Sequence, residues 1–138
     1  MVPKRILVGY DGSPESKKAL DLAVDLAKAC GSSVLVQHVI SIAPDAFETG
    51  ALNYAEIQSS AESLLEEAVE RARSVGVAAA KVLSTGDAAA MLLKESEAQG
   101  ADLVIVGSLG RGRMARLLVG SVADKLVRAA RVPVLVVR

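Results

Sequence analysis

From Val104 to Val127 the chain reads "VIVGSLGRGRMARLLVGSVADKLV". The stretch opens on a branched aliphatic run with strand character and closes on a helical pattern. Between them stand Gly107, Gly110, Gly112 and Gly120, with Arg111, Arg113 and Arg116. A strand joined to a helix through a glycine-rich connection is half of a βαβ unit. The connection reads either as an ordinary loop or as a cradle of bare backbone and arginines for something negatively charged.

Working outward, strand-like runs recur at Arg5–Tyr10, Ser33–Val39, Ala79–Ser84, Asp102–Gly107 and Val132–Val137, with helical patterns between them. That alternation is the signature of stacked βαβ units. The nearly unbroken apolar character of "DLVIVG" and "VPVLVVR" suits strands covered on both faces, as a parallel sheet requires. The expected fold is an α/β Rossmann-like open sandwich. It has a five-stranded parallel sheet of inferred order 3-2-1-4-5 and four helices distributed over both faces, as a single domain spanning residues 1–138.

Helix signals support this order. Ser13 suits an N-cap, Pro14 the first helical position and Gly31 a left-handed C-terminal cap. Leu20, Ala23, Ala27 and Cys30 then share one face, which reads Cys30 as a core-facing residue. A second helix is expected from about Tyr54 to Val75, with Ile57, Ala61, Leu64, Leu65, Ala68 and Ala72 inward. Asp87 caps a third that ends near Gly100. A fourth follows Gly120 and stops before Pro133. Ile40–Asn53 has no clear period and reads either as a binding loop or as a variable crossover.

Bulk composition narrows the function. The 138 residues suffice to bury roughly two thirds of the unfolded surface in one domain. Sixteen basic and sixteen acidic residues cancel, which argues against a nucleic-acid footprint or a polybasic membrane contact. Any anion site must be local. The single cysteine excludes an internal disulfide and a cysteine-based zinc site. The amino terminus runs directly into "PKRILVGY" with no signal-peptide pattern, and no apolar run is long enough to span a membrane. A cytoplasmic protein is expected.

In an open α/β sheet, ligands sit beyond the carboxyl ends of the strands where the winding reverses. Two strand ends carry unusual chemistry, "GYDGS" after the first and "GSLGRG" after the fourth, and the inferred order makes them neighbours. Gly107 and Gly110 allow close backbone approach, and Gly120 with Ser121 opens a helix whose amides favour an anion. Plainer readings stand beside these. Ser121 with Asp124 matches a capping box, the arginines serve equally as solvated loop charges, and Asp11 serves equally as a turn residue before Gly12. A Walker A loop is excluded because Ser121 and Val122 follow Gly120, and the first strand lacks the dinucleotide fingerprint.

The spacing Gly107, two residues, Gly110, nine residues, Gly120 and Ser121 resembles the universal stress protein family, in its ATP-binding branch. The likeness extends to "ILVGYDGS", "VLVQHVI", "ADLVIVGSLGRG" and "VPVLVVR", and so covers essentially the whole chain. It implies that Gly9 and Asp11 lie against the adenosine end and that Val39 approaches the adenine. Val106, Gly107 and Gly110 line the ribose and phosphate path, and Gly120, Ser121 and Val122 bind the phosphates, with Arg111 and Arg113 nearby. The implied cofactor is ATP with Mg or Mn, the ion riding on the phosphates with no protein ligand assigned. One departure is Ala123, where relatives commonly carry a hydroxyl. A homodimer joined through Val132–Val137 is also implied.

No catalytic constellation is visible, and His38 reads as a hydrogen-bonded structural residue. The function expected is an ATP-binding stress-response regulator with at most slow hydrolysis. Two alternatives stand beside it: a dimeric scaffold of the same fold that binds no nucleotide, supported by Ala123, and an ATP-using enzyme of related fold. Against the enzyme, "GYDGSPES" lacks the serine and glycine cluster that would hold pyrophosphate.

Overall fold

The structure is a computed structural model that describes residues 2–41, 54–109 and 119–138. In chain order the elements are β1 (Arg5–Gly9), α1 (Pro14–Cys30), β2 (Ser33–Ile40), α2 (Tyr54–Ser74), β3 (Ala79–Thr85), α3 (Ala88–Ala98), β4 (Leu103–Gly107), α4 (Ser121–Ala129) and β5 (Val134–Val137). All neighbouring strands pair in parallel, in the order β3-β2-β1-β4-β5. This is the order expected from the sequence. The central strand β1 faces Gln37 of β2 at Gly9 and Ile105 of β4 at Val8.

Two apolar cores lie on opposite faces of the sheet. One joins Ile6, Val8, Val36 and Ile105 to Ala19, Leu20 and Ala23 of α1 and to Leu65, Ala68, Val69 and Ala72 of α2. The other joins Leu7, Val104 and Val106 to Leu92 of α3 and to Ala123 and Leu126 of α4. Alternate residues of each central strand feed alternate cores, so these strands are apolar throughout. Small side chains on the helices let them approach the sheet closely.

The first helix starts as its sequence predicts. Ser13 is extended (φ −65°, ψ 158°), its hydroxyl accepts from the amide of Ser16, and Pro14 occupies the first turn. Gly31 closes the helix at φ 72°, a left-handed conformation that other residues adopt at a cost. Cys30 is a correction: it is exposed, not core-facing. The whole last turn, Lys28 to Cys30, is exposed, so the periodicity that buries Ala27 fails one turn later. In α2, Ile57 and Leu64 are only partly buried, whereas Val69, absent from the expected inward set, is fully buried. The final strand begins at Val134, two residues later than expected, although the Pro133 carbonyl already accepts from the amide of Val104.

Candidate functional site

The carboxyl ends of β1, β2 and β4 open onto a cavity of about 750 Å³, closed on one side by the amino terminus of α4. It lies where the chain winds outward in opposite directions from β1. Gly9, Asp11, Val39, Val106, Gly107, Gly120, Ser121 and Val122, all singled out in the sequence, line this one cavity. Gly110, Arg111 and Arg113 lie outside the described residues, as does all of the expected loop beyond Ser41 up to Asn53.

Asp11 shapes the entry. Its Oδ1 accepts from the amide of Ser13 at 2.9 Å, while Gly12 turns the chain at φ 79°. The turn-residue reading of Asp11 therefore holds, and the same residue lines the cavity. At the next strand, the Tyr10 amide donates to the Gln37 carbonyl at 2.8 Å, and His38 Nδ1 lies 2.8 Å from the Tyr10 carbonyl oxygen. A carbonyl oxygen can only accept, so Nδ1 carries the hydrogen. His38 is hydrogen-bonded, as expected, and its ring fastens β2 to the loop after β1. Burial, followed by the nearby Glu67 carboxylate, raises the Tyr10 phenol above its ordinary pKa, so it stays neutral.

The glycines divide by role. Gly107 is not in a left-handed conformation. A Cβ there would lie 2.7 Å from Glu15 Cβ and 2.8 Å from the Glu15 carbonyl carbon. Gly107 therefore lets the first turn of α1 settle on the end of β4, a packing role that the sequence reading assigned to ligand approach. Gly120 is also free of positive φ, with extended backbone (φ −74°, ψ 168°). Its amide donates to the Ser108 carbonyl at 2.5 Å, and a Cβ would sit 3.0 Å from that oxygen. Ser108 in turn donates its amide to Val137 at 2.7 Å. The loop before α4 is thus tied to the end of β4 and to β5 by backbone hydrogen bonds.

The capping-box reading of Ser121 is corrected. Gly120 is the N-cap and has no side-chain cap hydrogen bond, and Ser121 is the first helical residue and exposed. Asp124 instead meets Arg128 Nε at 3.1 Å through both carboxylate oxygens. The first turn of α4 thus lines the cavity, and among the described residues its N-cap supplies no side-chain cap, the arrangement in which a helix end attracts an anion. Ala123 is 2% exposed and packs in the second core. The site also includes residues that sequence reasoning passed over: Ser16, Gln37, Leu92 and Ser108. Of these, Gln37 had a signal, as an uncharged polar residue inside the apolar run "SVLVQHVI".

A doubly wound parallel sheet with its cavity at the switch point and an uncapped helix end beside it defines a Rossmann-like α/β protein. The sequence profile of the universal stress protein family matches residues 3–138. The chain is 33% identical over 147 residues to universal stress protein YxiE of Bacillus subtilis, covering 97% of this chain and 98% of that one. It is 36% identical to universal stress protein Rv2005c of Mycobacterium tuberculosis but spans only 45% of that protein's length. Among solved structures, the protein MJ0577 superposes with a TM-score of 0.87 at 25% identity, over 99% of this chain and 96% of that one. A universal stress protein solved in complex with cAMP superposes with a TM-score of 0.75 at 26% identity, over 100% and 98%. The chain belongs to the universal stress protein family.

Proposed function

We propose that this protein is a stress-response regulator that binds ATP with Mg or Mn, hydrolysing it slowly at most, and that it works as a homodimer paired through β5. The observation that carries this reading is the convergence of one cavity and one uncapped helix end at the sheet's switch point. Val39 at the end of β2 would meet the adenine and Asp11 the ribose, while the amides of Ser121 and Val122, in the first turn that Gly120 opens, would hold the phosphates. The cAMP complex of a relative at 26% identity supports an adenine nucleotide as the class of ligand. Among the described residues, no three His, Cys, Asp or Glu side chains converge as metal ligands. The ion would ride on the phosphates. Among the described residues, too, no helix is long and apolar enough to cross a membrane. The test is to purify the protein from cells without added nucleotide, denature it and identify what is released by mass spectrometry. ATP near one equivalent supports the reading; protein that releases nothing and takes up no ATP on incubation overturns it in favour of a nucleotide-free scaffold.

A further inference from the structure

Asp11 is held both by the chain before it and by the chain after it. Before it, the Tyr10 amide donates to the Gln37 carbonyl at 2.8 Å, and His38 Nδ1 donates to the Tyr10 carbonyl at 2.8 Å. After it, its own Oδ1 accepts from the Ser13 amide at 2.9 Å, across the left-handed turn at Gly12. The two bonds at Tyr10 differ in kind. The one to Gln37 extends the pairing of β1 with β2 one step past Gly9, and any residue but proline at that position can make it. The one to His38 requires a side-chain donor of a particular length.

Peptide planarity gives this second bond its consequence. The Tyr10 carbonyl and the Asp11 amide share one trans plane. A ring nitrogen that fixes the direction of the carbonyl therefore fixes the plane, and with it the Cα from which the Asp11 side chain departs. Tyr10 is 6% exposed, and its bond to His38 is partly buried. Without the imidazole the carbonyl would lose its side-chain donor in a setting where water replaces it poorly. Tyr10, Asp11 and His38 all line the cavity.

We infer that His38 is a positioning residue for nucleotide binding, which acts through the Tyr10 carbonyl to set where the Asp11 carboxylate meets the ribose. This rests on the nucleotide-binding reading above. The role requires no contact between His38 and the ligand. Asparagine carries its amide nitrogen at the same branch of the side chain as histidine Nδ1, so it can make the same bond; leucine has the same branching and no donor.

Calorimetric titration of wild type, His38→Asn and His38→Leu with ATP and with the triphosphate of 2′,3′-dideoxyadenosine tests the assignment. Wild type is expected to prefer ATP by about tenfold, the scale of one hydrogen bond to the ribose hydroxyls. His38→Asn should keep that preference, and in His38→Leu the affinity for ATP should fall to that of the analogue. In Asp11→Ala the preference should already be gone, so that adding His38→Leu weakens ATP binding no further. A merely structural histidine would lower the melting temperature of His38→Leu and leave its preference for ATP intact, which overturns the assignment. Loss of the preference in His38→Asn, a further loss in the double variant, or parity between the two ligands in wild type overturns it equally, while nucleotide binding stands. Wild type that binds neither ligand overturns nucleotide binding itself. Should His38→Leu fail to fold, nitrogen-15 NMR of wild type saturated with ATP decides. Hydrogen on Nδ1 supports the assignment, and hydrogen on Nε2 alone overturns it, since the ring could then donate nothing to the Tyr10 carbonyl.

Discussion

A single methyl group measures how tightly the site is built. At Gly107 it would meet Glu15 within 2.7 Å, contact that real Cβ atoms do not make. Gly107→Ala should therefore destabilise the fold by about 1–3 kcal/mol, as overpacking does, seen as a lower urea midpoint with unchanged slope. An unchanged midpoint would show that α1 yields freely. Asp102 offers a second test. Its Oδ2 accepts from the amides of Lys4 at 2.7 Å and Arg5 at 2.9 Å, and these bonds hold its carboxyl below the ordinary aspartate pKa. The native state thus favours the ionised form. Its contribution is complete above the unfolded value of about 3.9 and disappears as pH falls through the lower folded value. In Asp102→Asn that part of the acid sensitivity should be missing, so the stability difference from wild type narrows as pH drops from 6 to 3, conditions set by urea melts at each pH. A constant difference across that range would contradict the assignment. The contrast between these residues shows what a sequence displays. Ser13 and Gly31 announce their roles through immediate neighbours, whereas Gly107 answers to Glu15, more than ninety positions earlier in the chain.

The helices were legible wherever a local cap fixes an end, and less so where a neighbouring element decides. Asp87 accepts from the amide of Ala90 at 2.9 Å, as its position before α3 predicts. Ser121 failed as a cap because the Ser108 carbonyl holds the amide of Gly120, a contact from another element. Ser13→Ala should cost about 1 kcal/mol through loss of the cap to Ser16, read from thermal or urea melts; no change would mean that Pro14 and Asp11 already fix the turn. The two sheet edges differ in kind. On β3, Lys81 Nζ reaches Glu66 at 2.9 Å and Glu62 at 3.2 Å, so charge guards that edge. On β5 every residue is aliphatic and partly exposed. The carbonyls of Pro133 and Val137 face β4, so by alternation the backbone groups of Val134 and Val136 face outward. The proposed homodimer uses those groups. Val136→Pro removes one outward amide without touching the β4 ladder, and should convert a dimer into a folded monomer by light scattering. Wild type that is already monomeric at micromolar concentration, with or without ATP, would contradict the pairing.

At the scale of the molecule, the alternation of strands and helices made the architecture legible, and the two glycine-bearing strand ends located the switch point. What stayed hidden was the division of labour inside the cavity, because burial and hydrogen-bond pairing across β1, β2 and β3 appear only once the strands are side by side. Gln37 and Ser108 belong to that hidden part. The central claim is that this cavity holds ATP with its phosphates at the helix start that follows Gly120. Titration calorimetry with ATP and magnesium on wild type and Gly120→Val tests it most directly. Wild type should bind with micromolar affinity, about −8 kcal/mol. At a thousandfold excess of ATP over Kd this adds about 4 kcal/mol of stability, and so raises the melting temperature by several degrees. The valine side chain, starting 3.0 Å from the Ser108 carbonyl oxygen, should abolish the heat while the variant still melts cooperatively. Wild type with no heat and no ATP-dependent rise in melting temperature, or a variant that binds as well as wild type, would contradict the account.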